Sequence, residues 1–468
     1  MVKSVLVLLL LLVTLLLSSH AMNPIVPHVG QADPHVHVYN DTFYLYSTTD
    51  GNPQSKSWDN SEWRVWESSD LVVWNLASTL YPNATPAQPN QYNICWATDS
   101  AFRAPFYYFY ISMGPEEIGV MRSLTPAGPW ENALGIPLIS QAEGTKLNTE
   151  ARDPGVLVDD DGEAYLVFGT FNYFIAKLGA DMMSLAESPR AIVVINATSQ
   201  NGVGILDDKP FLHKREGRYF LSFGCFYGVS PSPYGPFNFV GAWVDKSLIA
   251  PDFRTNVTNS RPWWGDEDLN DRHGSFFSHG GQDFWSSNDR SHSGDAYNTN
   301  AYRDSILTYV HYFTNNTIAP VIINGFGVGE YNAATIIEAE NFMRILPLQL
   351  GSKHYDEEGR GWHVRASKGA SIHFPHVRNV PKTARFLHLR VRRTNNTEDN
   401  GGTGMIDINM SIHHQKLKVL CAGVLIREFE WNIHTCEINE VIAADITADM
   451  TIIFNTVQGS VEIDRFWF

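Results

Sequence analysis

The sequence predicts an all-β protein in which a five-bladed β-propeller is followed by a β-sandwich of jelly-roll type. Three observations lead to this prediction: a β-hairpin pattern that recurs five times, a change of pattern near residue 335, and a tail of short strands without a strong helical period. The chain has 468 residues, 44% of them hydrophobic and 12% aromatic, which is enough to bury two cores.

The hairpin pattern is clearest in residues 151–169, ARDPGVLVDDDGEAYLVFG, where an acidic residue before a proline leads into a strand, a turn at Asp160–Gly162 and a second strand. The pattern recurs after four other polar residues. The five anchors are Asp33, Asp99, Asp153, Asp208 and His273, at intervals of 66, 54, 55 and 65 residues. Repeats of this length are typical of propeller blades. If each anchor opens the innermost strand of its blade, all five meet at one end of the central channel.

A single aspartate before a strand is usually only a turn former. Five polar anchors in register, four of them carboxylates, favour a functional site instead. After the fifth hairpin, Ser286–Tyr302 is predicted to be a long polar insertion.

We expect three segments: a signal peptide at residues 1–21, the propeller at 22–330 and the β-sandwich at 335–468. The first segment has Lys3, an apolar run from Val5 to Leu17 and small residues before the exit at Ala21, which is typical of secretion. The alternative, a membrane anchor, is disfavoured because the run is short for a span. Seven Asn-x-Ser/Thr sequons fit a secreted glycoprotein.

The formal net charge of −16, with no basic cluster, disfavours nucleic acid and anionic membranes as partners and suits a neutral substrate. The four cysteines lack the spacing of a metal site. Cys421 and Cys436 lie in adjacent strand-like runs and can pair in an oxidising compartment. Cys95 and Cys225 lie in different repeats and are candidates for buried free thiols.

Several motifs resemble glycoside hydrolase family 43. They are Ala32-Asp33-Pro34, Arg152-Asp153-Pro154-Gly155, Asp208 before the PFLHK run at 210–214, and His273-Gly274-Ser275-Phe276. The tail, from IEAENF at 337–342 to IDRFWF at 463–468, resembles a carbohydrate-binding module of family 6. Together the two resemblances cover nearly the whole chain after the signal peptide.

The resemblance implies a five-bladed propeller that hydrolyses β-xylosides, α-L-arabinofuranosides, arabinans or galactans with inversion, without a catalytic cofactor. Asp33 would be the general base, Asp208 the general acid, and Asp153 the residue that orients and tunes the acid. An inverting enzyme needs its two carboxyl groups about 6.5–9.5 Å apart so that water fits between them. A third carboxylate near the acid raises its pKa by repulsion.

The sequence departs from the family at the acid, which is normally glutamate. Asp208 is one methylene shorter, which reduces its reach by roughly 1–1.5 Å. A misplacement of that size costs a factor of about 100 in rate. The alternatives are a closer backbone or substrate, a proton supplied by Asp207 or Glu150, or a weak catalyst.

The resemblance also suggests residues that bind substrate or metal. Trp96 is a candidate wall of the sugar subsite, with blade-core packing as the alternative. Arg303 is a candidate contact for a sugar hydroxyl, with a surface ion pair as the alternative, and His273 would lie on the channel axis, where some relatives hold water or calcium. In the tail, Glu338, Glu340 and Asp464 would bind a structural calcium ion.

We therefore expect a secreted, monomeric hydrolase of oligo- or polysaccharides. One alternative is a sugar-binding protein on the same fold with an impaired acid. Another is a retaining enzyme of the invertase and fructosidase group, although the Asp208 segment lacks that group's Glu-Cys signature. The sequence leaves open which sugar and linkage are cleaved, exo or endo action, and whether the tail binds sugar.

Overall fold

The computed structural model describes residues 23–27, 29–50, 60–86, 94–197, 207–254, 268–269, 271–291, 302–356, 361–381, 384–394, 403–412, 415–417, 424–426, 430–438 and 450–468. The predicted signal peptide lies outside them. Strands dominate these residues, and their one α-helix, α1, spans Gln141–Leu147, so the all-β class is confirmed. In these ranges no helix has the length and apolar character that crossing a membrane requires.

In the described residues of the N-terminal part, five sheets of three to five strands follow one another along the chain, with one additional two-stranded sheet. The first contains β1 (Gln31–Tyr39), β2 (Thr42–Thr49), β3 (Trp63–Ser68) and β4 (Asn75–Leu80); the second contains β5 (Cys95–Arg103), β6 (Phe106–Met113) and β7 (Glu117–Ser123); the third contains β8 (Gly155–Val158), β9 (Ala164–Phe168), β10 (Phe174–Lys177) and β11 (Arg190–Ala191). The fourth contains β12 (Val194–Ile195), β13 (Phe211–Arg215), β14 (Arg218–Phe223), β15 (Phe226–Ser230) and β16 (Phe237–Ala242); β17 (Val244–Ile249) pairs with β21 (Val321–Ile323); the fifth sheet contains β18 (Phe276–His279), β19 (Gln282–Asp289) and β20 (Asp304–Val310).

The five predicted hairpins are confirmed as β1–β2, β5–β6, β8–β9, β13–β14 and β18–β19. In the first turn Asn40 and Asp41 have φ values of 51° and 59°, the conformation that a tight hairpin turn requires. The predicted start of the polar insertion at Ser286 is wrong, since β19 continues to Asp289. Ser286 and Asn288 are buried there with hydrogen-bond partners, and this permits polar residues in an inner strand.

Hydrophobic clusters lie between successive sheets. Trp63 and Phe109 share a cluster between the first and second sheets, and further clusters join the second to the third, the third to the fourth and the fourth to the fifth. The first sheet also contacts the fifth, where the Val36 amide donates to Ser275 Oγ at 2.8 Å. The five-bladed closure itself stays a prediction.

The C-terminal part has two further sheets. One contains β22 (Tyr331–Asn332), β24 (Arg344–Leu346), β27 (Ser371–Arg378), β29 (Gly404–Ile412), β30 (Gln415–Leu417), β31 (Val424–Ile426) and β33 (Met450–Gln458); the other contains β23 (Ile337–Glu338), β25 (Gly351–Asp356), β26 (Gly361–Ser367), β28 (Phe386–Arg393), β32 (Asn432–Glu437) and β34 (Ser460–Trp467). Both sheets contribute to one core, in which Phe374 and Phe454 each contact Phe466 with ring centroids 4.9 and 5.1 Å apart. The jelly-roll topology stays a prediction.

Contacts divide the chain into two units. One comprises Asn23–Phe277 and Asp283–Gly325, and the other includes Phe326–Phe468 and Ser278–Gln282. Cys95 and Cys225 are buried free thiols, as predicted. Cys436 is disulfide-bonded, and Cys421 lies outside the described residues.

Candidate active site

Asp33 stands at a bulge in β1. The register between β1 and β2 shifts between Ala32 and His35, and Asp33 has a left-handed φ of 52°. Such bulges re-aim side chains beside active sites. The backbone amide of Asp33 donates to Asn288 Oδ1 at 2.7 Å, so the bulge is tied to β19 of the fifth sheet.

Both oxygens of Asp33 are held by Arg303. Nη1 of the guanidinium lies 2.9 Å from Oδ1 and Nη2 lies 3.3 Å from Oδ2, while Nε donates to Asp50 Oδ2 at 2.8 Å. This paired geometry fixes the orientation of the Asp33 carboxylate. The side chain of Arg303 is only 7% exposed, so the surface ion pair considered as its alternative is wrong. Its predicted role in sugar binding stays a prediction.

Asp153 and Asp208 share a second arginine. Nη1 of Arg152 lies 3.0 Å from Asp153 Oδ2 and 3.3 Å from Asp208 Oδ2. Asp153 has a φ of 61°, and its Oδ2 also accepts a hydrogen bond from the Lys209 amide at 3.2 Å. The two predicted anchors are therefore adjacent, although they precede strands of different sheets, β8 and β13.

His273 connects the two halves of this arrangement. Its Nε2 lies 3.4 Å from Asp33 Oδ1, 3.5 Å from Asp208 Oδ1 and 2.9 Å from Asp271 Oδ1. The two outer oxygens are thus at most 6.9 Å apart. Next to it, a side chain at Gly274 would come within 1.9 Å of the Ser286 carbonyl oxygen, so only glycine permits this close approach.

Burial and neighbouring charges shift the pKa values of the groups in the site. Burial, together with the charge of Asp208, raises the pKa of Asp153 to about 6 despite the neighbouring Arg152. Burial alone would lower the pKa of His273, but Asp271, Asp33 and Asp208 raise it to about 9. His273 is therefore protonated at neutral pH, and the nearest acceptor to its Nε2 is Asp271 Oδ1 at 2.9 Å. The site can hold one carboxylate and one carboxylic acid around a single imidazolium.

The two alternative proton donors have different surroundings from Asp208. Asp207 is 2% exposed, and its oxygens accept hydrogen bonds from the amides of Asp208 and Asp271 at 2.9 and 3.0 Å. Glu150 is half exposed and pairs with Arg152 Nε at 2.5 Å. The side chain of Asp208 is 15% exposed, and its Oδ1 has no hydrogen-bond partner in the described part of the chain. The geometry favours Asp208 as the group that reaches a substrate.

Trp96 packs on the site from the second sheet. Its ring lies 5.2 Å from the Arg152 guanidinium carbon, the guanidinium lying over the ring. The indole Nε1 is buried, with no partner among the residues described. Trp96 therefore supports the arginine that contacts Asp153 and Asp208, and its predicted contact with sugar stays a prediction.

Residues 21–237 match the family model described as glycosyl hydrolases family 43. The sequence is 30% identical over 258 residues to a β-D-galactofuranosidase from Aspergillus niger, covering 49% of this chain and 68% of that protein. The chain belongs to glycosyl hydrolase family 43. It is accordingly an O-glycosyl hydrolase.

Other family 43 proteins are also similar. A xylosidase/arabinosidase from Humicola insolens is 27% identical over 302 residues, covering 52% of this chain and 89% of that protein. The solved structure of a Bacillus subtilis arabinoxylan arabinofuranohydrolase in complex with cellotetraose matches 96% of this chain and 98% of that chain, with a TM-score of 0.55 and 20% identity. A Xanthomonas citri family 43 enzyme complexed with xylotriose matches 66% of this chain and 96% of that chain, with a TM-score of 0.51 and 25% identity.

Asp99 is the remaining anchor. In the described residues its side chain does not contact the other four anchors. It lies 2.8 Å from His35 Nδ1 and 2.6 Å from His37 Nε2. Lys209, fully buried with a φ of 56°, donates through Nζ to the carbonyl oxygens of Thr98 and Pro154 at 2.7 and 3.1 Å. The charge of Lys209 adds to burial in lowering the pKa of His35 to about 4.

Two of the three predicted calcium ligands, Asp464 and Glu338, are paired with arginines. Asp464 Oδ2 accepts hydrogen bonds from Arg390 and Arg465, each at 2.6 Å, and Arg465 Nη1 lies 3.5 Å from Glu338. Glu340 Oε2 is buried without a partner in the described ranges, and burial, with the charges of Glu338 and Asp464, raises its pKa to about 8. In this arrangement the arginines compete with a cation for Asp464 Oδ2 and Glu338. Calcium binding there stays an untested prediction.

Sequence reasoning missed several members of the site. Arg152 was visible next to Asp153 in the motif, but Asp50, Asp271 and Asn288 were not singled out. Asp50 follows β2 by one residue and Asp271 precedes His273 by two, so proximity to an anchor strand was the available signal. Asn288 was assigned to the polar insertion and carried no signal.

Proposed function

We propose that this protein is an inverting, secreted glycosidase of xylosyl, arabinofuranosyl or galactosyl linkages in polysaccharides. Asp33 activates the water, Asp208 protonates the leaving oxygen and Asp153 tunes the acid. The observation that carries the proposal is the contact of His273 Nε2 with Asp33 at 3.4 Å and Asp208 at 3.5 Å. The names of the galactofuranosidase and xylosidase/arabinosidase relatives support this choice of sugars.

The inverting mechanism rests on the resemblance to family 43, which implies inversion. The two contacts of His273 Nε2 bound the distance between Asp33 Oδ1 and Asp208 Oδ1 at 6.9 Å, and this bound includes both the spacing of about 5–5.5 Å typical of retaining enzymes and the lower end of the about 6.5–9.5 Å typical of inverting enzymes. Arg303 holds both oxygens of Asp33, as expected for a group that accepts a proton from water. The five successive sheets, with the first contacting the fifth, support the five-bladed arrangement that family 43 implies.

A second candidate is a sugar-binding protein with an impaired acid. It is favoured by one observation: the acid position holds the shorter Asp208, whose Oδ2 is already engaged by Arg152 at 3.3 Å. Such a protein would bind oligosaccharides without cleaving them.

The experiment is a screen of nitrophenyl xylosides, arabinofuranosides and galactofuranosides, followed by proton NMR of the first product formed. The expected result is cleavage of at least one class, with the inverted anomer appearing first. A retained anomer would overturn the role of Asp33 in activating water. Binding without cleavage of any glycoside would favour the sugar-binding protein instead.

We also propose secretion, N-glycosylation, a monomeric state and a carbohydrate-binding role for the C-terminal unit. In that unit Tyr355 and Trp362 form an aromatic pair with ring centroids 5.2 Å apart, and Tyr355 is 37% exposed. Exposed aromatic rings suit sugar rings because they offer an apolar face. Binding of the full chain to insoluble xylan, compared with Tyr355→Ala, tests this role; equal retention of both proteins would contradict it.

A further inference from the structure

A pocket opens beside the proposed acid. It lies between the C-terminal end of α1 and the turn that joins β9 to β10, and its volume is about 420 Å³, within the range typical of small-ligand sites. Its walls include Asn148, Glu150, Arg152, Thr170 and Phe171. Among the described contacts, Arg152 is the pocket wall that reaches Asp153 and Asp208, so the rest of the pocket adds a separate surface to the site.

Phe171 is the unusual residue of this pocket. It is 42% exposed and has a φ of 58°. A bulky residue in the left-handed region is a genuine outlier, and such strain concentrates at functional sites. Neither exposure of the ring nor strain of the backbone benefits folding, and the two together make Phe171 a candidate for binding.

The turn that carries Phe171 is fixed to the segment before Asp153. The Gly169 amide donates to the Arg152 carbonyl at 2.9 Å, and Thr149 Oγ1 donates to the Asn172 carbonyl at 2.8 Å. A Cβ at Gly169 would lie 2.4 Å from that same Asn172 oxygen, so the turn requires glycine there. Phe171 is therefore presented at a defined position relative to Arg152.

Polar groups suited to hydroxyls surround the ring. Thr170 is 8% exposed, and its buried Oγ1 has no partner among the described residues. Arg152 pairs with Glu150 at 2.5 Å and also with Asp153 and Asp208, so its positive charge is already compensated. An aromatic face with a few hydrogen-bonding groups and no uncompensated cation among its described walls suits a neutral sugar ring rather than an anion.

We propose that this pocket binds the leaving-group sugar, with Phe171 as its stacking platform. This inference rests on the proposed function. The leaving sugar must lie beside the acid that protonates its oxygen. The pocket meets this requirement because Arg152, which lines it, also contacts Asp208 Oδ2 at 3.3 Å. Phe171 thereby determines specificity for the part of the substrate that departs.

The test compares substrates with and without a leaving-group sugar. For whichever of xylose, arabinofuranose or galactofuranose the wild type cleaves, kcat/KM is measured with the trisaccharide and with the glycosyl fluoride, whose one-atom leaving group leaves the pocket empty. Phe171→Ala should lower kcat/KM for the trisaccharide about 10-fold or more, because the apolar face of the sugar loses its partner. The fluoride should be hydrolysed at the wild-type rate, and Phe171→Trp should retain trisaccharide activity.

Phe102→Ala is the matched control, since Phe102 is 40% exposed and lies on β5, outside the pocket lining. This variant should leave kcat/KM unchanged for both substrates. An equal loss on both substrates in Phe171→Ala would make Phe171 structural, and no loss on either would remove it from the site; both results overturn the proposal.

Failure of the proposed function is recognised separately, by a wild type that cleaves neither substrate. Calorimetric titration with xylotriose then decides. Binding by wild type that is lost in Phe171→Ala and kept in Phe102→Ala supports the pocket. Equal binding by all three proteins, or binding by none, overturns it.

Discussion

Two groups of buried charges in this protein are built in opposite ways. The carboxylate cluster of the N-terminal unit comprises Asp33, Asp50, Asp153, Asp207, Asp208 and Asp271, and in the described residues its carboxyls outnumber the basic side chains that contact them. In the arginine cluster of the C-terminal unit, Glu462 and Asp464 are surrounded by Arg365, Arg390, Arg392 and Arg465.

The pKa values reflect this difference. Burial and repulsion raise the pKa of Asp153 to about 6 and that of Asp207 to about 7. For Glu462, burial alone would raise the pKa, but hydrogen bonds from His363, Arg365 and Arg392 lower it to about 2. Raised pKa values of this kind are typical of functional sites, whereas pairing with several arginines favours the ionised carboxylate. The following experiments test that distinction.

The largest expected effect is on catalysis. Asp208→Asn should lower hydrolysis of substrates with poor leaving groups by about 100- to 10,000-fold, because a general acid is lost. Substrates with activated leaving groups should suffer much less, whereas Asp33→Asn should damage both kinds alike. The measurement is kcat/KM with a matched pair of glycosides. Asp160→Asn is the control, since Asp160 is 88% exposed in the turn after β8. Wild-type activity of Asp208→Asn on poor leaving groups would contradict the assignment.

The next largest effect is on stability. Arg303→Met leaves the buried Asp50 without its cation and Asp33 with only His273, at 3.4 Å, and should cost about 3–5 kcal/mol in the free energy of unfolding. Arg392→Met should cost only about 1 kcal/mol, because Glu462 keeps Arg365 at 2.6 Å. Urea unfolding followed by tryptophan fluorescence measures both. Equal costs would show that the two clusters do not differ in how their cations are shared.

Glu462→Gln tests how the arginine cluster affects the pH dependence of stability. The folded pKa of about 2 lies below the value of 4.5 expected when unfolded, so this group stabilises the protein above pH 4.5 and loses that contribution as the pH falls towards 2. The free energy of unfolding of the variant should be about 3 kcal/mol lower than that of wild type at neutral pH, and it should depend less on pH in the acid range. Unfolding titrations between pH 2 and 7 measure it. An unchanged acid slope would mean that other groups control acid unfolding.

Asp207→Asn should act in the opposite direction. The folded pKa of about 7 lies above the value of 3.8 expected when unfolded, so this group favours the folded state at low pH and loses that advantage as the pH rises from 3.8 through 7. The difference in the free energy of unfolding, variant minus wild type, should therefore be larger at pH 7 than at pH 4 by on the order of 2 kcal/mol. The exposed Asp41→Asn is the control. A variant with the wild-type pH dependence would show that Asp207 does not hold a proton.

The sequence by itself determined the all-β class, the five hairpins and four of the anchors, whereas Asp99 pairs with His35 and His37 and does not contact the other four in the described residues. Hairpins follow from neighbouring residues, because alternation of apolar side chains and turn residues such as Asn40 and Asp41 act locally. The motifs around Asp33, Asp153, Asp208 and His273 likewise pointed to family 43, which the comparisons confirm.

Only the tertiary structure decided which charges meet. Arg303 reaches Asp33 across 270 positions and Asn288 reaches it across 255, and no local pattern encodes such pairs. The same holds for Phe171, which is an ordinary turn residue in the sequence and lines a pocket beside Arg152 only because Gly169 bonds back to that arginine's carbonyl. Packing of distant strands also sets which carboxyls are buried together, so burial and repulsion, the causes of the raised pKa values, exist only in the folded chain.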